Sequence, residues 1–177
     1  MRELYGVTRI STDRADSVRR GSRIVGLDVG ERRIGVAITD ATCTLARPLT
    51  ALQTTGLDGN ALDLVVAEIA RLADEEDGVA SIVVGLPRHL DGSPNAMTAR
   101  IEKFGARLRV STDLPVSFQD ERLTSREAES LLASREKDWR ARKGRIDAAA
   151  AAILLQDYLE SHPVSRLVSI GEDPDFP

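Results

Sequence analysis

The stretch RIVGLDVGERRIGVAIT, residues 23–39, decides the fold. Arg23–Asp28 reads as an apolar strand that ends in an acid. Val29–Arg33 (VGERR) supplies turn residues, and Ile34–Thr39 (IGVAIT) reads as a second strand, so the two form a hairpin. A charge beside an apolar run is costly unless it is compensated. At the end of a central strand, Asp28 would project into the crevice outside the sheet, with Gly30 permitting close backbone approach. Taken alone, Asp28 reads equally as a strand-ending Asx-turn.

A third short strand is expected around Thr44–Ala51, where Pro48 favours an edge or an end. Leu62, Val65, Val66, Ile69, Leu72 and Ala73 then recur at helical spacing, with Asp63, Glu68, Arg71 and Asp74 facing away. Ser81–Gly85 (SIVVG) is a continuous apolar run that suits a strand covered on both faces. The loop Leu86–Pro94 leads to a second helix, Asn95–Val110, with Ile101, Phe104 and Leu108 on one face. Pro115–Gln119 is another strand, running into Asp120-Glu121-Arg122, after which Thr124 or Ser125 caps a helix with an imperfect capping box. A charged stretch, Ser134 to Arg145, leads to Asp147, which opens a helix-forming run, AAAAAILLQDYLE. The pattern predicts an α/β domain with a five-stranded mixed sheet. A three-strand antiparallel meander is extended by parallel strands through βαβ crossovers, with helices on both faces. Residues 1–22 are expected to be a flexible extension, 23–161 the domain, and 162–177 a tail.

The 177 residues match one domain, and the 42% hydrophobic and 29% charged content is that of an ordinary soluble protein. With only 3% aromatics, the core must be built from Leu, Ile, Val and Ala. A single cysteine, Cys43, precludes an internal disulfide or a cysteine-based zinc site and points to a reducing compartment. Cys43 reads as a small packed residue rather than a reactive thiol. No apolar run is long enough to span a bilayer, and residues 1–21 mix Arg, Asp, Ser and Thr with no signal-peptide core, so a cytoplasmic protein is expected. Two histidines, His89 and His162, are too few for a histidine zinc site, and the second lies near the tail, away from any Ser-His-Asp set. Neither a P-loop nor a nucleophile elbow is present. Carboxylates remain as the available chemistry.

Glu121 ends a second strand as Asp28 ends the first. Asp147 would, taken singly, pass for a helix cap. Together, two acids at strand ends and one at the start of a helix can converge, and the small Ala148–Ala152 would let that helix approach the sheet. Clustered carboxylates repel one another unless a cation sits among them. Hard oxygen donors select Mg²⁺ or Mn²⁺. A pair of such ions, roughly 3.5–4 Å apart, can activate water and steady the leaving oxygen of a phosphodiester. Asp28, Glu121 and Asp147 are therefore the expected catalytic and metal-binding residues.

The motifs Leu27-Asp28-Val29-Gly30, Arg47-Pro48-Leu49, Val84-Gly85-Leu86-Pro87 with Asp91-Gly92, Thr98-Ala99-Arg100 with Phe104, Asp120-Glu121-Arg122-Leu123-Thr124, and Gly144 to Asp147 followed by alanines resemble the YqgF (RuvX) family, in the family's order and over about Ile24 to Glu160. The resemblance implies a ribonuclease H-like fold, a nuclease that processes the 5′ end of pre-16S rRNA, and kinship with RuvC-type Holliday junction resolvases. It places the family's acidic triad at Asp28, Glu121 and Asp147. One departure from the resolvase pattern stands out. RuvC-like enzymes carry their second acid on the strand that here reads Ser81–Gly85, which has none, so Glu121 must serve from the neighbouring strand.

The net charge of −4 argues weakly against a nucleic-acid surface, but its distribution matters more. Arg135, Lys137, Arg140, Arg142, Lys143 and Arg145 outnumber Glu136 and Asp138 just before Asp147, which suits a phosphate-binding flap; a solvated linker is the alternative. Trp139 could stack on a base or anchor the flap. Arg32 and Arg33, in the turn after Asp28, and Arg122, beside Glu121, are further candidates to reach phosphates. Arg88 and His89 lie on the Leu86–Pro94 loop, expected to be mobile and to contact substrate. The expected partner is RNA, specifically precursor 16S rRNA, or branched DNA, with no membrane; a homodimer is neither required nor ruled out. Two other classes compete: an actin-like kinase or chaperone, for which the chain is too short to form two lobes, and a non-catalytic RNA-binding assembly factor.

Overall fold

The computed structural model describes residues 23–121 and 139–162, with side chains of the last helix described from 144 onward. Strand β1 (Arg23–Val29) pairs antiparallel with β2 (Arg33–Thr39), and β2 with β3 (Ala46–Gln53). Helix α1 (Gly59–Ala73) leads to β4 (Val79–Leu86), parallel to β1. Helix α2 (Thr98–Thr112) leads to β5 (Val116–Asp120), parallel to β4, and α3 (Trp139–Ser161) closes the described chain. The sheet order β3-β2-β1-β4-β5 is the expected ribonuclease H-like arrangement, a meander extended on its β1 side by two parallel strands. Among the described residues, no helix is long and apolar enough to cross a membrane.

Local chemistry explains the joints. The β1–β2 turn closes with Gly30 donating to the Arg33 carbonyl at 2.9 Å, and a β-carbon on Gly30 would press on that same oxygen. Pro48 lies in the edge strand β3, opposite Ala37 and beside a register shift, where its missing N–H is tolerated. Asp58 caps α1 by accepting from Ala61 N at 3.2 Å. Buried Arg23 closes the other end of α1 through Leu72 O, Gly78 O and Glu75.

Strand alternation divides the core in two. Val25, Leu27, Ile34, Val36, Ile38, Ile82, Val84 and Leu86 pack on the α1–α2 side with Leu62, Val65, Ile69, Leu72, Ile101, Phe104 and Leu108. On the opposite side, Ile24, Ala37 and Val83 meet Ala151, Ala152, Leu154, Leu155, Tyr158 and Leu159 of α3. The strand positions under α3 are unusually small. A β-carbon at Gly26 would stand 2.8 Å from Leu155 Cβ, and one at Gly35 would overlap the Asp147 carbonyl. Helix α3 therefore rests almost directly on the strand backbones, and Gln156 ties it to the β3 edge by accepting from Ala46 N at 2.9 Å.

Three sequence expectations are corrected. Helix α2 starts at Thr98, not Asn95, because the Asn95 side chain accepts from Met97 N and Thr98 N while the Thr98 hydroxyl donates to Pro87 O at 2.6 Å. Strand β4 runs from Val79 to Leu86, beyond Ser81–Gly85 at both ends. Asp147 does not open a helix: Trp139–Ile146 precede it within α3. Arg, Lys and Ala are good helix formers, and the sequence continues helically through Gly144, where an added β-carbon would stand 3.8 Å from Ala51 Cβ. The capping explanation for Asp147 is thereby removed. The expectations for residues 1–22, for Thr124 and Ser125, and for the tail lie outside the described residues.

Candidate active site

Asp28 stands near the C-terminal end of β1, paired opposite Gly35 and on the sheet face that receives α3. Glu121 follows β5 directly, and its N–H reaches Leu86 O at 3.4 Å, which continues the β4–β5 ladder by one residue. From there its side chain folds back over β4. The carboxylate occupies the space that a side chain at Gly85 would fill, and its Oε1 is fully enclosed. Asp28 and Glu121 share a hydrogen bond. Burial, and then the Asp147 charge, holds the Asp28 carboxyl above the ordinary carboxylate range. Burial, the Asp28 charge, the hydrogen bond it donates to Asp28, and the Asp120 charge hold Glu121 higher still.

Asp147 reaches the same end of the sheet from α3, over Gly35, close enough for its charge to act on Asp28. Its carboxylate is ion-paired with Arg33 Nε. Among the described residues, no three of His, Cys, Asp and Glu already stand as a ligand group for a metal ion. Two acids stand together and the third is bound to a guanidinium. The donor chemistry nevertheless fits a hard divalent cation: all three groups are carboxylates, and burial forces two of them together.

The basic residues expected to meet nucleic acid are placed differently from one another. Arg32 is exposed in the β1–β2 turn, where its carbonyl accepts from Thr54 N. Arg33 is engaged by Asp147. Arg88 donates to Gly92 O at 3.1 Å within a closed hairpin, in which His89 N bonds Ser93 O and Gly92 N bonds His89 O. Arg145 is exposed on α3, two residues before Asp147. Arg122 and the side chains of Arg140, Arg142 and Lys143 lie outside the described residues. Sequence reasoning missed Gly26, Gly35 and Gly85. Glycines inside β-branched runs were the available signal, since interior strand glycines mark close backbone approach.

Fold and acids together define the class: a ribonuclease H-like domain with an acidic centre at the C-terminal ends of its parallel strands. Comparison with known families narrows this further. The model of the RuvX family, described as Holliday junction resolvase, matches residues 22–161, and the chain belongs to that family. A "Putative pre-16S rRNA nuclease" of Chloroflexus aggregans is 43% identical over 138 residues, covering 78% of this chain and 93% of that protein. One of the same name from Crocosphaera subtropica is 38% identical over 143 residues, covering 81% and 96%. Among solved structures, Thermus thermophilus RuvC in complex with a Holliday junction substrate is similar at a TM-score of 0.47 and 13% identity, over 80% of this chain and 96% of that one.

Proposed function

We propose that this chain is a divalent-metal-dependent endonuclease that hydrolyses phosphodiester bonds of structured RNA, with the 5′ end of precursor 16S rRNA as its substrate. The observation that carries the reading is the enclosed Asp28–Glu121 pair with Asp147 beside it. Mg²⁺ or Mn²⁺ ions, as a pair, would supply water activation and charge stabilisation of the leaving oxygen. Asp28, Glu121 and Asp147 would hold them. Asp28 takes the central position, since it borders both other acids. The enclosing walls of Gly85 and Leu154 keep the Glu121 carboxylate in place. Arg32, Arg88, Arg122, Arg140, Arg142, Lys143 and Arg145 would meet phosphates around the centre. Residues 23–161 form the nuclease domain in this reading, in the cytoplasm.

The names of the relatives favour rRNA. The family's description keeps branched DNA as the second reading. The position of Glu121 weighs against that second reading. No residue of β4 is acidic, and the carboxylate from the end of β5 fills the space over Gly85 instead.

Purified protein, with and without Mn²⁺, should be assayed on a precursor 16S rRNA fragment and on a four-way DNA junction in parallel. Asp28→Asn should lower Mn²⁺-dependent RNA cleavage by about 10³-fold or more, given the several kcal/mol that metal-ion catalysis supplies. Circular dichroism and RNA binding should be retained. Undiminished cleavage would remove the three-carboxylate mechanism, cleavage of the junction alone would favour the resolvase, and RNA binding without any cleavage would leave an assembly factor.

A further inference from the structure

Arg33 is the first residue of β2, and strand alternation puts it on the same face as Gly35 and Asp28. Its guanidinium is committed to Asp147, with the two side chains 19% and 24% exposed. Water still reaches both partners of this half-enclosed pair, so its release carries no full desolvation penalty. The Asp147 backbone is seated against Gly35. Releasing the carboxylate therefore requires side-chain rotation only, with α3 staying in place.

We propose that Arg33 is the resident counter-cation of the acidic centre: it holds Asp147 while no metal is bound, and it must surrender that carboxylate for divalent ions to load. The inference rests on the metal-dependent reading above. Two effects act in one direction. A divalent ion must compete with the guanidinium for Asp147, and it enters beside a fixed positive charge that repels it. With Asp147 given up, Arg33 is left at the rim of the centre with an unsatisfied planar fork, the geometry that binds a phosphate through two parallel hydrogen bonds. Metal loading and capture of the scissile phosphate are thereby coupled through one side chain. A residue that merely oriented Asp147 for the metal would have the opposite effect, since its loss would weaken metal binding.

Mn²⁺ titration of the full chain, followed by calorimetry and by the electron paramagnetic resonance signal of free Mn²⁺, separates these roles. Arg33→Gln should bind Mn²⁺ roughly fivefold more tightly than wild type, the fold-change expected of an ion pair of about 1 kcal/mol. Arg33→Lys, which keeps the charge, should stay near wild type, and Asp147→Asn should bind more weakly. Equal or weaker affinity in a folded Arg33→Gln protein overturns the proposal. A second measurement needs no variant: Mg²⁺ added to ¹⁵N-labelled wild type should shift the Arg33 Nε–H resonance as the carboxylate departs, and an unmoved resonance at saturating Mg²⁺ also overturns it. If wild type binds no Mn²⁺, or binds it equally after Asp28→Asn, the metal-dependent reading itself fails and takes this proposal with it. Normal, Asp28-dependent binding that Arg33→Gln does not tighten defeats the counter-cation alone.

Discussion

Glu121 and Asp28 each lie at a strand end, a position readable from chain order, but their electrostatics come from being pressed together. Burial is the largest cause of the upward shift in both. A carboxyl raised by folding binds a proton that the unfolded chain releases, so stability is favoured at low pH and declines as pH rises through the raised range. The metal-free protein should therefore lose thermal stability between about pH 4 and pH 8, on account of this pair. Glu121→Gln should flatten that decline, and saturating Mg²⁺ should abolish it in wild type. Melting curves across the range check this; a wild-type decline that Glu121→Gln leaves intact would assign it to other groups. Gly85 is the counterpart that chain order did not reveal. It matters only because Glu121 returns across β4, and no property of the VASIVVGL stretch foretells that return.

At the scale of elements, α3 carries the third acid, and its seat on the sheet decides where Asp147 points. Sequence pattern located the alanine run and inferred close approach, but it placed the helix start at Asp147. The helix begins instead at Trp139, within the charged stretch. A charged run that shares helical propensity with its neighbour has no local boundary for pattern reading to find. The other half of the close approach lies in Gly26 and Gly35, which give α3 a trough of bare backbone. Gly35→Ala should force the Asp147 backbone away from β2 and cost about 1–3 kcal/mol, as overpacking does. Its cleavage rate should fall further than that destabilisation alone would cause, because Asp147 moves with the helix. Urea unfolding and single-turnover cleavage, measured on the same preparation, give both quantities. A destabilised variant with full activity would separate the seat of α3 from the function of Asp147.

The whole molecule must bring a polyanion to an acidic chain. A net charge of −4 repels RNA at long range, so attraction has to be local. Arg142 and Lys143 precede Asp147 on α3, with Arg145 exposed two residues before the acid. Reversing charge at Arg142 and Lys143 should weaken RNA binding and reduce the slope of log affinity against log salt by about 0.7–0.9 for each phosphate that is no longer neutralised. Filter binding at several salt concentrations measures both; an unchanged slope would return the segment to a solvated helix surface.

The amino-acid sequence by itself determined the hairpin of β1 and β2, the apolar faces of α1 and α2, the edge position of Pro48 and the placing of acids at strand ends. Each of these follows from residues within a few positions of one another, through the two-residue and 3.6-residue periods and the chemistry of turns. Tertiary structure alone decided the glycine trough under α3, the return of Glu121 over Gly85, and the pairing of Arg33 with Asp147, 114 residues apart. These depend on which surfaces meet once the sheet has its order. A glycine is the same residue whether it faces solvent or a helix backbone, and an arginine the same whether it awaits a phosphate or holds a carboxylate; only the partner across the fold gives either one its role.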